Sequence, residues 1–600
     1  MTATYYVGID LGTTHCLLSY SEIPVDGAKS GEPELKVLPI PQWVGLNAWA
    51  EKSQLPSFLY QFHSSELDAS ALQTPWGETQ DFLVGDFARS LGEQTPDRLI
   101  ASAKSWLSCG GMASVQLPQG DMTDVIRLTP DQVIERLLRY LADVWQYQFP
   151  GAPLAQQALT ITIPASFDPQ ARSRVAEIAT ALGFADLMLL EEPQAALYQW
   201  LYNTLNWREA LTVGDTVLVV DMGGGTTDFS LITVHDEGGE LSLERVAVGD
   251  HLLLGGDNMD LTLAYAVKKK LASEGKKVKA NQLAALVQLC RSAKEKLLND
   301  PSLVSVPIAL ATKGALLLGK TLRTELTQEM LTSVLVDGFF PEVALDAQPD
   351  MANNSALSTL ALPYAQDAAV TRHLASFLQD RPFPNKVLFN GGVFKAQPFC
   401  QRLMSVLNAW ADTEIQASVE PLSGGDLDAA VSLGAAYYRF VKAQNGVRIR
   451  GGVAHSYYVG IEAARPAVPG MPAPLEALCV VSSGLEEGSP AVLVPKTFHL
   501  KVGQPARFRF FGSGIRAEDQ IGDLLDEDDT EELQVLPDIE VNLTAESADH
   551  IPVQLMTRVT EIGTLEIEAL PADQAASSEA SDEPQRWRVS LNVRAEPVLD

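Results

Sequence analysis

Two stretches of this 600-residue chain decide its reading: YVGIDLGTTHCLLSY at residues 6–20 and VLVVDMGGGTTDFSLI at residues 217–232. Each runs an apolar strand into an aspartate, a glycine-bearing turn with paired threonines, and a second apolar strand. The leading aspartates, Asp10 and Asp221, lie 211 residues apart. No short solenoid repeats at that distance, so the echo predicts two similar lobes facing each other. Neither copy contains the GxxxxGK pattern of a Walker loop, and neither turn leads straight into a helix. Glycine at Gly12, Gly223, Gly224 and Gly225 lets backbone N–H groups approach an anion without a Cβ in the way. The hydroxyls of Thr13, Thr14, Thr226 and Thr227 add donors, and Asp10 and Asp221 supply hard oxygen for a hydrated divalent cation, with Mg²⁺ the expected ion. One such turn alone is ordinary hairpin chemistry; a matched pair points to a phosphate clamp.

Outward from these turns the chain changes character near residue 445. Before it, β-rich runs at Tyr5 to Asp10, Leu159 to Pro164, Thr216 to Asp221 and Lys386 to Asn390 alternate with helical periodicity at Asp131 to Gln148, Ala171 to Leu182, Asp260 to Ala272, Asn281 to Leu298 and Leu427 to Val441. That interleaving predicts α/β layers. After a short connector, the segments SYYVGIEA, ARFRFFGS, DIEVNLTA, GTLEIEAL and RWRVSLNVR alternate as antiparallel strands do. The expected organisation is a nucleotide-binding part at 1–444, a linker at 445–455 and a β-sandwich at 456–600. Acidic residues dominate Glu518 to Glu532 and mark Ala572 to Pro584, both read as solvated loops.

Composition sets limits on function. Hydrophobic residues at 46% and charged residues at 20% are ordinary for a folded chain, which excludes global disorder. The formal charge of −32 repels phosphate backbones and anionic membrane surfaces, so neither nucleic acid nor membrane is the expected partner. Five widely spaced cysteines form no CxxC pair, which argues against a disulfide scaffold or structural zinc. MTATYYVGIDLG enters a strand without a signal-peptide pattern, so a reducing, cytoplasmic location is expected.

GIDLGTT and VVDMGGGTTD resemble the two phosphate motifs of the actin-like ATPase superfamily. Three further segments, in order, resemble the DnaK-type, 70-kilodalton heat-shock chaperones: ITIPASFDPQAR with LLEEPQAALYQW, LFNGGVFKAQPF, and DLDAAVSLGAAYY. The resemblance implies an actin-like two-lobed ATPase domain of ribonuclease H-like repeats, followed by a mainly antiparallel β-sandwich. It implies ATP/ADP and Mg²⁺ as cofactors. Thr13 and Thr14 would touch phosphate, Asp10 and Asp221 would hold water around Mg²⁺, and Thr226 would face the γ-phosphate. Lys104, in SAKSWL, would orient the attacking water, and Glu192 with Asp228 would complete the polar shell. Gly255, Gly256 and Asp257 would open a mobile helical subdomain. Lys294 would pack on the nucleoside, Gly391 and Gly392 would admit the sugar and base, and Asp428 belongs to the closing motif. Pro164 and Arg172 would relay nucleotide state to the second domain.

Departures accompany the match. Lys395 stands where the family usually has arginine, Arg291 where it often has glutamate, Leu298 for a frequent serine and His15 for a usual asparagine. VRIRGGVAH replaces the leucine-rich linker, the strand-like RWRVSLNVRAEPVLD stands where the family's helical lid would be expected, so a lid-less chain is the expectation, and a polar insertion, QPDMANNSALST, has no obvious role. The function implied is an ATP-dependent chaperone gripping exposed apolar peptide, with unfolded polypeptide clients, a J-domain cochaperone and a nucleotide exchange factor as partners. The competing readings are a small-molecule kinase of the same superfamily and a nucleotide-gated scaffold.

Overall fold

The computed structural model describes residues 3–592 apart from segments 25–31, 64–65, 67–71, 108–114, 119–123, 168, 251, 280–281, 311–320, 351–363, 445, 452, 454–455, 463–474, 486–487, 502–504, 514–515, 517, 527–528, 531–532, 543–549, 561–563 and 572–586. The acidic stretch at 572–584, most of the insertion at 348–359 and the final eight residues lie outside the described part. The chain divides into two units, one comprising Met1–Phe167, Arg174–Leu243 and Ala247–Arg448, the other Asp168–Ser173, Glu244–Val246 and Ile449–Asp600.

Two mixed sheets organise the first unit, and each is built around one of the quoted hairpins. In the first, Tyr5–Leu11 pairs antiparallel with His15–Glu22 on one side and parallel with Ala158–Ile163 on the other, which in turn pairs parallel with Leu187–Glu191. In the second, Thr216–Met222 pairs antiparallel with Thr227–Glu237 and parallel with Lys386–Asn390. All seven residues of Thr216–Met222 are buried, as a continuous β-branched run on a sheet covered on both faces requires. The registers are equivalent: Asp10 sits beside Leu17 and Thr162, and Asp221 beside Asp228 and Asn390.

Helices carry the remaining site residues. Thr129 caps Pro130–Gln148 with a reciprocal bond to Gln132, and proline occupies the first turn, where its missing N–H costs nothing. Glu192–Asn203 starts where Leu187–Glu191 ends, which delivers Glu192 to a strand's carboxyl edge. Gly256–Ser273 and Leu283–Asn299 pack together, burying Leu263, Val267, Leu286 and Leu297 in the large core behind the second sheet. Asp86–Gln94, Val370–Leu378 and Gln397–Glu414 are further helices of this unit.

The second unit is antiparallel throughout its described sheets. One runs Leu524–Leu525, Leu475–Val481, Ser456–Glu462, Pro505–Ser513, Gln534–Asn542; the other runs Val492–Lys501, His550–Val559, Thr564–Pro571, Trp587–Asn592. Tyr457, Leu478 and Phe510 from the first sheet share one buried cluster with Val559, Leu565 and Ile567 from the second. The acidic stretch at 518–532 is not wholly a solvated loop. Leu524–Leu525 forms an edge strand against Ala477 and Leu478, and Asp519 accepts from Tyr458 Oη at 2.6 Å and Arg516 Nε at 2.9 Å. The two leucines and a local arginine draw part of the acidic run onto the sheet.

Candidate functional site

A cavity of about 390 Å³ opens within the first unit and is lined by both hairpin turns. The turns meet closely. A Cβ on Gly224 would lie 2.1 Å from Thr14 Cγ2, and one on Gly225 would lie 2.3 Å from Ser105 Oγ and 2.9 Å from Thr13 Cγ2. Only glycine permits that approach. The first turn is held by Ser57, whose hydroxyl donates to the Gly12 carbonyl at 2.7 Å and whose N–H donates to the Thr14 carbonyl at 2.8 Å. The second closes on itself through Gly223 N–H to the Thr226 carbonyl at 3.0 Å, while Gly256 N–H and Asp257 N–H bond the Gly223 and Gly224 carbonyls at 3.0 and 2.7 Å.

Acids and one lysine face this cavity. Lys104 comes from the short helix Ala103–Leu107, is 4% exposed, and pairs with Glu192. Burial alone would lower its pKa, but Glu192 and Asp10 reverse the shift and hold it above the usual lysine value, so it remains a cation. Burial and the charge of Glu192 push Asp10 up to about 7. Burial, then Glu192 and Asp228, push Asp221 upward as well. Each aspartate has a hydrogen-bond donor from its parallel neighbour: Asn390 Nδ2 donates to Asp221 at 2.8 Å, and Thr162 Oγ1 lies 3.5 Å from Asp10. Carboxylates crowded this way are costly to ionise without a compensating cation.

Among the predicted site residues, Asp10, Gly12, Thr13, Thr14, Lys104, Glu192, Asp221, Gly223, Gly224, Thr226, Gly256, Asp257, Lys294, Gly391, Gly392, Lys395 and Asp428 line the cavity. Gly225, Thr227, Asp228 and Gly255 do not; they stand behind its wall. Thr227 is fully buried and its hydroxyl donates to the Leu254 carbonyl at 2.6 Å, because successive residues of a strand point to opposite faces and Thr226 takes the cavity side. Asp228 accepts from the backbone N–H of Ser166 at 3.3 Å and from its hydroxyl. Lys395 pairs with Asp428 at the rim, and Gln54 Nε2 donates to the same carboxylate at 2.6 Å. Arg291 is buried between Asp257 and Asp260, with Nε to Asp260 at 2.6 Å. His15 lies 3.2 Å from Thr14 Oγ1, and burial beside Arg89 and Lys395 lowers its pKa to about 4, leaving it neutral.

Several lining residues were not singled out from sequence. Asn390 could have been, since it precedes the paired glycines of LFNGG. Asp260, Arg89 and Glu295 carried no local signal, and the last two form an ion pair at 2.7 Å; Thr162, beside Asp10 but not in the lining, carried none either. The donor set suits a hydrated Mg²⁺. Asp10 and Asp221 both line this one cavity, and their hard carboxylate oxygens fit a divalent cation held through its waters.

Comparison with known proteins gives the same direction. Residues 83–344 match the family model described as Hsp70 protein. A protein named Chaperone protein HscA homolog from Acinetobacter baumannii (strain AYE) is 26% identical over 301 residues, covering 49% of this chain and 42% of that protein. A protein of that name from Haemophilus influenzae (strain 86-028NP) is 28% identical over 305 residues, covering 50% of this chain and 42% of that protein. Another, from Photobacterium profundum, is 29% identical over 280 residues, covering 44% of this chain and 37% of that protein. The chain thus spans about two fifths of the length of these relatives. No described helix is long and apolar enough to cross a membrane. Beside its two glycine turns and its lysine–glutamate pair, the chain thus carries, over residues 83–344, a segment that is similar to Hsp70 protein.

Proposed function

We propose that this chain is an ATP-hydrolysing molecular chaperone of the DnaK kind, in which ATP binding and hydrolysis in an actin-like, two-lobed domain at 1–444 govern peptide binding in the β-sandwich at 456–600, across the linker at 445–455. One observation carries the reading: Lys104, Glu192, Asp10 and Asp221, drawn from four separate parts of the sequence, line one cavity together with both glycine turns. Phosphoryl transfer to water needs positioning and charge stabilisation more than covalent chemistry, and this set supplies both. The N–H groups and hydroxyls of the turns would bind the phosphates, with Thr226 toward the γ-phosphate. Lys104 would orient the attacking water and stabilise developing charge. Of the two carboxylates expected to complete the polar shell, Glu192, at a helix N-terminus, faces the cavity and would accept the proton, while Asp228 stands behind the wall, engaged by Ser166. Asp10 and Asp221 would hold Mg²⁺ through its waters, and that ion would offset phosphate charge when bound.

At the nucleoside end, Lys294, Gly391, Gly392 and Lys395, which all line the cavity, would border the sugar and base. Pro164 and the buried Arg172 would relay the nucleotide state. The sandwich would grip an extended apolar segment of an unfolded client by main-chain pairing, with a J-domain cochaperone and an exchange factor setting the cycle. A cytoplasmic location accords with Cys16, Cys290, Cys400 and Cys479 all being free.

Steady-state ATP turnover, titrated with an unfolded polypeptide, tests catalysis and coupling together. Turnover that rises saturably with polypeptide is expected. Turnover indifferent to polypeptide, with phosphate recovered on a small acceptor, would make the chain a kinase instead.

A further inference from the structure

Arg291, on Leu283–Asn299, is a buried cation that the chemistry above does not use. Its Nε donates to Asp260 Oδ2 at 2.6 Å and its Nη2 to Asp257 Oδ1. Lys294, one turn later, takes the other oxygen of Asp260 at 2.8 Å. The guanidinium also lies over the Phe58 ring, 5.7 Å from its centroid, so its place is fixed by a planar contact as well as by two carboxylates. Asp257 is where these contacts turn toward the catalytic lysine. Its N–H bonds the Gly224 carbonyl at 2.7 Å, which roots it on the second glycine turn, and its Oδ2 accepts from the hydroxyl of Ser102.

Ser102 stands two residues before Lys104. Its φ of 55° lies in the left-handed region, unusual for serine, and its carbonyl accepts from Ser105 N–H at 3.1 Å to open the helix that carries Lys104. A residue held in that region persists only where its surroundings over-determine it. The hydroxyl-to-Asp257 bond is a side-chain restraint on that turn, and Arg291 in turn restrains Asp257.

We propose that Arg291 and Ser102 are positioning residues for ATP hydrolysis: Arg291 fixes Asp257, Asp257 fixes the Ser102 hydroxyl, and the left-handed turn so held aims Lys104 at Glu192 and the reacting phosphate. This rests on the ATPase reading of the cavity. It also gives the departure at Arg291 a role, since a cation there holds Asp257 from the side opposite Ser102. A charge-assisted hydrogen bond is the strong kind, so each link bears on the lysine's aim.

The test uses the full chain. Ser102→Ala keeps the Cβ and the backbone strain while deleting the hydroxyl, and Arg291→Met keeps the apolar stem while deleting the guanidinium. Single-turnover hydrolysis and ATP Kd are measured separately. Each variant is expected to slow hydrolysis about tenfold, the loss of the charge-assisted bond that each side chain makes to Asp257, with Kd moved less than about threefold. The double variant should be no slower than the worse single variant by more than about twofold, because both cut the same chain of contacts. Arg291→Lys, which keeps the charge but not the fork, should recover part of the rate. Losses that multiply, or that fall wholly on Kd, overturn the proposal. Amide hydrogen exchange across residues 103–107 in nucleotide-free protein gives a readout that needs no ATP: both variants should accelerate it, and unchanged exchange also overturns the proposal. A wild-type chain that hydrolyses no ATP, yet responds in exchange to both variants, would overturn the ATPase reading while supporting the Arg291–Asp257–Ser102 linkage.

Discussion

Lys104 bears the largest share of the proposed hydrolysis, and its burial makes the claim testable. A lysine 4% exposed beside Glu192 and near Asp10 is held by those acids and has no solvent to replace them. Lys104→Met should therefore slow single-turnover hydrolysis by on the order of 10²–10³-fold, the range for removing a preorganised donor, while ATP Kd moves only a few-fold. Rapid-quench measurement at saturating ATP distinguishes the two parameters; equal rates for variant and wild type would remove Lys104 from the chemistry. His15 predicts a pH effect. Its pKa falls from an ordinary 6.5 to about 4 on burial beside Arg89 and Lys395. Between those values the unfolded chain binds a proton that the folded chain refuses, so the stability this histidine contributes is complete above pH 6.5 and is lost as pH falls toward 4. Replacing it with asparagine should flatten the acid limb by on the order of 1–3 kcal/mol across that window. Urea unfolding of both proteins at pH 7 and pH 4.5 checks it, and parallel pH profiles would show that His15 titrates as it does in water.

Placement of Glu192 depends on a helix pair packed at backbone distance. A Cβ on Gly434, in Ala430–Ala443, would lie 1.8 Å from the Ala195 carbonyl of Glu192–Asn203. Gly434→Ala must push the two helices apart, and overpacking of this kind costs typically about 1–3 kcal/mol. A lower melting temperature with slower hydrolysis is expected, because the helix that shifts begins with Glu192. Gly151→Ala, where an added Cβ meets nothing within 4 Å, is the control and should melt like wild type. The same element shows why sequence reading reached some of the site and missed the rest. EEP announces a helix start, since acid and proline both suit a first turn, and the two hairpins announce themselves because their pattern lies within about fifteen residues. Thr162 and Asn390 reach Asp10 and Asp221 only through parallel pairing with strands 152 and 169 residues away, which no local pattern encodes. Thr227 was readable: strand alternation sends it away from the cavity that Thr226 faces, and grouping the two threonines by chemistry overlooked that geometry. Gln397–Glu414 was legible as well, since Phe399, Leu403, Val406, Leu407 and Trp410 recur at helical spacing behind Pro398, and so was His550–Val559, where Ile551, Val553, Leu555 and Val559 fall on alternate positions; neither stretch was singled out.

Over the whole molecule, the proposal requires that two separately folded units share one equilibrium. If ATP weakens the grip of the sandwich on an extended peptide by some factor, the peptide must weaken ATP binding by that same factor, since linkage between two sites is reciprocal. Coupling energies of this kind typically run from about 1 to 3 kcal/mol, or roughly 5- to 150-fold in affinity. A non-hydrolysing ATP analogue, used with a fluorescent unfolded peptide, makes both halves measurable: peptide affinity by anisotropy with and without nucleotide, nucleotide affinity by calorimetry with and without peptide. Agreement of the two factors within error is the expected result, and a nucleotide effect of onefold on peptide binding would separate the units and leave an ATPase without an output. The choice of peptide follows from the same scale. A net charge of −32 gives the chain a negative long-range field, so an apolar segment flanked by Lys and Arg should associate faster and bind tighter than the same segment flanked by Asp and Glu. Raising ionic strength from about 0.01 to 0.15 M shortens the screening length from about 30 to 8 Å, and the preference should shrink accordingly. The apolar contacts are not screened, so a basic-flanked peptide that loses all affinity at the higher salt would be held by charge alone and could not be the extended apolar client that the sandwich is proposed to grip.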